Sequence, residues 1–282
     1  MDSPTLPLDV RATPSRPPAR DAIVFEDVAL TFEDNLVLEG VSFRLPIGET
    51  KAIFGIAGAG KSTILKLTLG LLKPDAGRIF VLGADITEMR EDDLYELRRK
   101  IGMVFQESAL FDSLTVRENV AFRLMEEHNL SEEEIERRVR EALSFVELEH
   151  TLNMLPSELS GGMRRRVAIA RAIITQPEIL LYDSPTGGLD PVTSTTIIEL
   201  VVKQRDVYRT SSLLVTHRLQ DAFIMANHRF DHKTGHMQAL PPGSTAEVPM
   251  AFLILRDGRV VFDGDVHQLA ESEDDYIRNY IS

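Results

Sequence analysis

The chain has 282 residues, 43% of them hydrophobic, so it is long enough to bury a large core. It carries 31 basic and 44 acidic side chains, a formal net charge of −13, and this balance argues against a nucleic-acid partner. It has no cysteine, which excludes a disulfide scaffold, and no apolar run of the roughly 18–20 residues that span a bilayer.

The N-terminal residues differ in pattern from the rest of the chain. Residues 1–21 contain five prolines and almost no periodicity, which predicts a disordered tail without the apolar region of a secretory signal. Alternating apolar side chains over residues 23–32 then predict a half-buried strand, with an irregularity near Glu26. Two further strands are expected at residues 41–46 and 51–56.

The remaining elements alternate between helices and strands. Helices are predicted for the runs KSTILKLTLGLL, SEEEIERRVREALSFVEL, with a capping box of Ser131 and Glu134, and SGGMRRRVAIARAII. Short apolar strands are predicted for IGMVFQ, EILLYD and SSLLVTH. This alternation indicates an α/β domain with a parallel sheet, and the interval between Lys61 and Asp183 has room for a helical lobe at about residues 107–157.

A glycine-rich stretch lies between a predicted strand and a predicted helix. Residues 55–62, GIAGAGKS, fit the pattern G-x-x-x-x-G-K-[ST]. In such a loop backbone N–H groups surround phosphate oxygens, the lysine reaches the terminal phosphates and the serine hydroxyl holds Mg²⁺. A plain strand-to-helix turn is the structural alternative. The context favours an ATP site made by Gly55, Ile56, Ala57, Gly58, Ala59, Gly60, Lys61, Ser62 and Thr63.

Asp183 ends a buried apolar run, at the edge where an open parallel sheet binds its ligand. Taken alone, an aspartate there is more often a strand-end cap. Together with Lys61 and Ser62 it is predicted to have the Walker-B role, in which an aspartate acts on Mg²⁺ through the groups bound to the ion.

A second anion site is predicted at Leu159–Met163, LSGGM. Ser160, Gly161 and Gly162 stand at the start of a basic helix, where free N–H groups and a hydroxyl can bind a phosphate. A helix cap with glycines for close packing is the alternative. One nucleotide needs one cradle, so the second indicates the γ-phosphate of a nucleotide held by a partner.

With these motifs, residues 22–226 and 251–282 resemble the ATP-binding-cassette ATPases. The resemblance implies a P-loop NTPase (RecA-like) parallel-sheet core, an antiparallel β subdomain and an inserted helical subdomain, together forming one domain over 22–282. It further implies that two chains pair head to tail around two ATP molecules. Four more residues match family roles. Phe32 matches the aromatic that stacks on adenine, although an aromatic on a strand could equally be part of the core. Gln106 matches the glutamine that senses Mg²⁺ and touches the membrane partner, Asp190 lies in the loop that contacts the paired chain, and His217 matches the histidine that contacts the γ-phosphate.

Within the family, the chain is similar to ATPases of the Mla type, which drive phospholipid traffic. The signature carries Met163 where glutamine is commoner, and the loop after Gln106 contains Ala109, Leu110 and Phe111, a short apolar patch suited to a membrane subunit. The resemblance therefore implies permease subunits docked through residues 106–111, at the cytoplasmic face of the inner membrane. A small regulatory subunit and a substrate-binding lipid-domain protein are further implied partners.

Ser184 departs from the family, which has glutamate there to orient and deprotonate the attacking water. A neutral hydroxyl has no useful basicity near neutral pH, and loss of a general base costs about 10²–10⁴ in rate. Three explanations stay open: an engineered substitution, a naturally slow ATPase, or water positioning by His217. We expect weak hydrolysis with intact ATP-driven dimerisation. Without a carboxylate at position 184, the γ-phosphate meets less negative charge, which favours ATP binding and the closed dimer.

The second departure is an insertion at about residues 228–249. His228, His232 and His236 are spaced four apart, which on a helix would suit zinc, but Gly235 and low apolar content favour a mobile, partner-facing loop. The C-terminal tail, about 265–282, keeps Tyr276, Ile277, Tyr280 and Ile281 at helical spacing. It is expected to dock on its own domain or to reach across to a partner chain.

Other functions compete with lipid transport. A nonhydrolysing ATP-gated clamp would make Ser184 functional as it stands, and a related cassette could energise import of amino acids or ions. A soluble cassette protein of DNA repair or translation is disfavoured by the negative charge and by the absence of coiled-coil insertions or a second cassette.

Overall fold

The structure is a computed structural model that describes residues 21–33, 35–127, 130–241, 244 and 246–281. The predicted N-terminal tail lies outside these residues, apart from Asp21. The strands of the described residues are β1 Asp21–Phe32, β2 Asn35–Pro46, β3 Thr50–Phe54, β4 Ala76–Val81, β5 Ala84–Asp85, β6 Ile101–Val104, β7 Ile179–Asp183, β8 Ser211–Val215, β9 His228–Asp231, β10 His236–Ala239, β11 Met250–Arg256 and β12 Arg259–Asp265. Their helices are α1 Lys61–Thr68, α2 Glu91–Arg98, α3 Val116–Glu126, α4 Glu132–Phe145, α5 Gly161–Ile173, α6 Pro191–Tyr208, α7 Leu219–Asn227, α8 Val266–Ala270 and α9 Asp275–Ile281.

The central sheet has six strands in the order β12-β11-β3-β8-β7-β6. The five strands from β11 to β6 run parallel, and β12 pairs antiparallel with β11 at one edge. Strand β8 is buried along its whole length and β7 up to Asp183, because their alternate side chains enter two core clusters, one on each face of the sheet. The carboxyl ends of β3, β6, β7 and β8 therefore meet at one edge, where the predicted site residues follow them.

A second sheet, β2-β1-β4-β5, is antiparallel. Its strand β1 shows register shifts between Phe25 and Val28, and Asp27 has a φ of 49°. A residue in the left-handed region interrupts strand pairing and leaves a bulge. The irregularity predicted near Glu26 is therefore present one residue further along.

The described residues between β6 and α5 contain helices α3 and α4, where the helical lobe is predicted. Ser131 caps helix α4, and its side chain accepts from the backbone N–H of Glu134 at 3.3 Å. The capping box predicts a second hydrogen bond, from the backbone N–H of Ser131 to the Glu134 carboxylate, and this part of the prediction is wrong. The Glu134 carboxylate instead accepts from Arg137 and Arg138 at 2.7 Å each. The hydrogen bond from Arg137 lowers the pKa of Glu134 to about 2.

Residues 228–239 of the insertion are not the loop that its composition predicts, whereas its other described residues, 240–241, 244 and 246–249, form neither helix nor strand. Strands β9 and β10 form an antiparallel ribbon on α6, and the cross-strand partners Phe230 and Met237 each donate a backbone N–H at 2.8 Å, to Asp206 and Glu199 respectively. Asp206 and Glu199 are two helical turns apart, so they hold both outer edges of the ribbon.

The zinc arrangement that the histidine spacing would allow, and that the sequence disfavours, is not found in the part of the chain that the structure describes, which contains no group of three potential metal ligands. The helix that the histidine spacing required does not form. Instead, His228 Nδ1 lies 2.8 Å from the carbonyl oxygen of Ile224, and His236 Nδ1 lies 3.2 Å from a Glu199 carboxylate oxygen.

The C-terminal helix packs on its own domain. Ile277 is 2% exposed in the larger core cluster, and the Arg256 guanidinium lies 4.5 Å from the centre of the Tyr276 ring. Of the two alternatives for the tail, these residues show docking on the chain's own domain.

Candidate functional site

The predicted phosphate loop connects β3 to α1 at the carboxyl edge of the sheet. Gly55, Gly58 and Gly60 have φ values of 150°, 82° and 90°. A Cβ on Gly55 would lie 2.6 Å from the carbonyl oxygen of Leu255, and one on Gly60 would lie 2.6 Å from Leu38 Cδ2. Glycine is therefore required at both ends of the loop, for backbone conformation and for space.

Lys61 is the first residue of α1, and its ammonium group turns back onto the loop. Its Nζ donates to the carbonyl oxygens of Gly55 and Ile56 at 2.8 Å each. Burial lowers the pKa of Lys61, and the nearby charge of Asp183 partly offsets this effect. The loop thus holds a cation at the mouth of a helix, which is an arrangement for binding phosphate.

The Ser62 hydroxyl and the Asp183 carboxylate meet across the edge of the sheet. Ser62 Oγ donates to Asp183 Oδ1 at 3.2 Å, although 121 residues separate them in sequence. Hydroxyl and carboxylate oxygens are ligands suited to a hard cation such as Mg²⁺. This pair therefore fits the predicted metal role.

Ser184 lies directly beyond Asp183 and is 7% exposed, with a φ of 46°. Its N–H donates to the carbonyl oxygen of Val215 at 2.8 Å, which ties it to the end of β8. An added Cβ on Gly187 would lie 3.5 Å from Ser184 Cβ and 3.7 Å from His217 Cε1. Ser184 and His217, which were both predicted from sequence, therefore flank Gly187.

The second cradle stands at the start of α5. Ser160 Oγ accepts from the N–H of Met163 at 3.2 Å and caps the helix. A Cβ on Gly162 would overlap Thr193 Cγ2 at 2.4 Å, so this glycine also permits close packing against α6. Helix α5 contacts α3, α4, α6 and β6, whereas α1 contacts β4, β7 and β8. The two cradles thus begin helices with different neighbours.

Three other predicted residues lie on segments that adjoin these cradles. Gln106 is exposed and follows β6, beside the strand that ends in Asp183. Phe32 is 44% exposed at the end of β1, in the hairpin whose second strand contacts Gly60 through Leu38. Asp190 caps α6 and accepts from the N–H and the hydroxyl of Thr193, which lowers the pKa of Asp190.

An apolar groove of about 390 Å³ opens beside Gln106. Of the predicted patch, Ala109 and Phe111 line it and are exposed, Phe111 to 43%, but Leu110 is partly buried and packs against the core. The exposed apolar side chains of the groove come instead from three segments: Leu71, Phe105, Phe111 and Phe122. The patch is therefore larger than the sequence run, and its position is set by tertiary contacts.

Asn119 anchors the loop that carries Phe111. It is fully buried, accepts from the N–H of Phe111 at 2.8 Å, and donates to the carbonyl oxygens of Phe111, Leu114 and Thr115 at 3.0 Å each. We expect Asn119→Ala to lower the free energy of unfolding by about 2–3 kcal/mol, because buried backbone groups lose their partner. Urea denaturation measures this change; exposed Asn227→Ala, the control, should lie within about 0.5 kcal/mol of the parent.

Two arginines of α5 that sequence reasoning missed contact the site. Arg165 donates to the carbonyl oxygens of Phe105 and Gly187, and Arg171 donates to those of Ser108 and Ala109. A signal was available for Arg165: it falls on the apolar stripe of α5 with Ile169 and Ala172, at spacings of four and seven residues.

A parallel sheet with a glycine-rich phosphate loop, and with a carboxylate hydrogen-bonded to the loop's serine, defines a P-loop nucleotide-binding protein. Residues 38–187, just over half of the chain, match the family model described as ABC transporter. The chain belongs to this family, as an ATP-binding subunit, and the fold predicted from the LSGGM resemblance is confirmed.

Two curated relatives align over most of the chain. It is 38% identical over 262 residues to TRIGALACTOSYLDIACYLGLYCEROL 3 of Arabidopsis thaliana, covering 90% of this chain and 71% of the relative. It is 33% identical over 247 residues to the intermembrane phospholipid transport system ATP-binding protein MlaF of Haemophilus influenzae, covering 87% and 85%.

Among solved structures, a dimeric post-hydrolysis state of the ATP-binding cassette MJ0796 with ADP and Pi matches with a TM-score of 0.71. The two chains are 30% identical, with 86% of this chain and 98% of that chain covered. Within the described residues, no helix has the length and apolar content to cross a membrane.

Proposed function

We propose that this chain binds Mg-ATP and powers a transporter of phospholipids. The observation that carries the proposal is the pair of separate anion cradles, at Gly55–Ser62 and Ser160–Gly162, on a chain of the ABC family. The lipid substrate is supported by the relative whose name describes intermembrane phospholipid transport, which aligns over 87% of this chain. Import of another small substrate is the alternative.

The residues of the first cradle have distinct tasks. The backbone N–H groups of the loop and Lys61 bind the β- and γ-phosphates, and Phe32 stacks on the adenine. Ser62, Asp183 and Gln106 hold Mg²⁺, which neutralises phosphate charge when it is bound. To bind the triphosphate, the Lys61 ammonium exchanges its two carbonyl partners for phosphate oxygens.

The second cradle completes the site of a second copy. Ser160, Gly161 and Gly162 begin a helix whose neighbours differ from those of α1, so they are suited to a phosphate held by another chain. His217 adjoins Gly187 in the segment that leads to Asp190, so we assign contact with the γ-phosphate to His217 and contact with the paired copy to Asp190. The ADP-bound cassette of similar fold is itself a dimer, which supports head-to-tail pairing.

Hydrolysis by this pair is slow because Ser184 stands where a general base is needed. The serine is 7% exposed and offers only a neutral hydroxyl. The same observation favours a second candidate function, a nonhydrolysing clamp in which ATP binding alone drives the assembly. Phosphate release by the chain with its partners tests both: turnover above background selects the slow transporter, and no turnover selects the clamp.

The groove beside Gln106 is the docking site of a permease, which holds the chain at the cytoplasmic face of the inner membrane. Its exposed rings suit an apolar helix, and Arg171 fixes the loop by donating to the carbonyl oxygens of Ser108 and Ala109 at 2.8 and 2.7 Å. A small regulatory subunit and a substrate-binding lipid-domain protein complete the assembly. The genes adjacent to this one test that composition, since a transporter of another substrate would lack the lipid-domain protein.

We expect Phe111→Glu to release the chain from membranes, because a carboxylate in the apolar groove must be desolvated on docking. The fraction of the chain that sediments with membranes of its source cells should fall at least about fivefold, while ATP binding in solution stays within about twofold. Ile47→Glu is the matched control, since Ile47 is 57% exposed outside the groove. Equal loss in both variants would contradict docking through the groove.

A further inference from the structure

Arg165 is a buried side chain that no part of the proposed ATP chemistry uses. It stands on α5, five residues after Ser160, and is 7% exposed. Its Nη1 donates to the carbonyl oxygen of Phe105 at 3.1 Å, and its Nη2 donates to that of Gly187 at 3.0 Å. A planar guanidinium with two donors in a fixed fork can hold two acceptors at once.

The two carbonyls belong to different loops of the site. Phe105 immediately precedes Gln106 and lines the groove proposed for the permease. Gly187 lies between Ser184 and Asp190, and its N–H donates to the carbonyl oxygen of Ser184 at 2.9 Å. Arg165 therefore joins the permease-facing loop to the loop that faces the paired copy.

The joint resists separate movement of the two loops. If either loop moved away, a buried guanidinium and a backbone carbonyl would lose their hydrogen bond, which is costly for a charged group away from water. Arg171, six residues further along α5, donates to the carbonyl oxygens of Ser108 and Ala109. This helix therefore holds the first loop, which carries Gln106, at a second point. The first loop, α5 and the second loop thus form one mechanical unit.

We propose that Arg165 is a positioning residue that couples the Gln106 loop to the Asp190 loop, so that permease docking and closure of the ATP-bound pair report to each other. The inference rests on the proposed head-to-tail pairing. Ser160 begins the same helix, so binding of the partner's γ-phosphate acts on the unit directly.

A double-mutant cycle tests the coupling. Gln106→Ala and Asp190→Asn, which keeps a capping side chain, are made singly and together, and the dimer dissociation constant in Mg-ATP is measured by analytical ultracentrifugation. In the parent, the fold-change in the dissociation constant of the double variant should differ from the product of the two single fold-changes by at least about fivefold. In the Arg165→Met background it should equal that product within about twofold.

Two further variants sharpen the cycle. Arg165→Lys keeps the charge but presents a single ammonium, so it should also lose the coupling; full coupling in this variant would overturn the bridging role. Arg166→Met is the matched control on the same helix, because Arg166 donates to the Val146 carbonyl oxygen at 3.1 Å and contacts neither loop by that bond. Its cycle should match that of the parent, and a loss of coupling there would show a general effect of α5.

Hydrogen exchange provides a readout that needs no Arg165 variant. Gln106→Ala should accelerate exchange of the amides at residues 186–190 in the Mg-ATP state at least about threefold, because a disturbed first loop pulls on the second. Unchanged exchange would overturn the inference even if the Arg165 variants failed to fold. If the parent forms no dimer in Mg-ATP, the proposed pairing is refuted. If the parent does dimerise but the coupling in the Arg165→Met background equals that in the parent, only the role of Arg165 is refuted.

Discussion

Ser184→Glu should raise the ATP turnover of this chain by about 10²-fold or more, measured as phosphate release in Mg-ATP with its membrane partners. The substitution supplies a carboxylate next to Asp183, where a water attacking the γ-phosphate needs a base. ATP should still bind, because the phosphate loop, Lys61 and the Ser62–Asp183 pair are untouched, although the added negative charge near the γ-phosphate should lower the affinity somewhat. The neighbouring Gly187 has no side chain to obstruct the longer residue.

Ser184→Gln is the matched control, since it adds the same length and shape without basicity. Its turnover should stay within about threefold of the parent, which separates base chemistry from packing. Equal and substantial rates in the parent and in Ser184→Glu would mean that another group, such as His217, positions the water. In that case we expect His217→Ala to abolish turnover in the parent.

Ser160→Asp should abolish ATP-driven dimerisation while leaving nucleotide binding by the single chain intact. Aspartate caps a helix as well as serine does, so α5 should still begin with a partner for the N–H of Met163. Its carboxylate, however, would face the partner's γ-phosphate, and repulsion of two anions should weaken the dimer at least about 100-fold. Light scattering with and without Mg-ATP measures the pairing.

Ser131→Asp provides the same substitution at another helix cap. Ser131 accepts from the N–H of Glu134 at the start of α4, in the helical segment. Dimerisation and ATP affinity should both stay within about twofold of the parent, apart from a small shift caused by the added charge. If both aspartate variants still dimerise normally, the LSGGM segment is a helix cap and not a phosphate site.

Local sequence patterns were enough to predict the site residues that lie next to one another in the chain. The loop from Gly55 to Ser62 contains within eight residues the glycines, the lysine and the serine that a phosphate site needs. Asp183 is identified by the apolar strand before it. The helix predicted from KSTILKLTLGLL nevertheless ends at Thr68, because Gly70 adopts a left-handed φ of 63°. Glycine inside a periodic run leaves the end of a helix undetermined by sequence.

Patterns failed where contacts across the chain decide the outcome. Residues 228–239 have little apolar content and were expected to be a loop, but Glu199 and Asp206 on α6 accept the N–H groups that a solitary ribbon would leave to water. Leu110 was assigned to an exposed patch on the basis of its neighbours in sequence, whereas in the fold it is partly buried and packs against the core. Such partners lie too far away in sequence for local periodicity to reveal them.

The amino-acid sequence by itself determined the α/β class, the phosphate loop and the signature, and the serine where the family has glutamate, because each depends on neighbouring residues. Only the tertiary structure decided that Ser62 meets Asp183, that Leu71 and Phe122 join Phe111 in one groove, and that Arg165 bridges two loops. The physical reason is that a hydrogen bond or an apolar contact depends on distance in space. The parallel sheet brings strand ends that are far apart in sequence to a common edge.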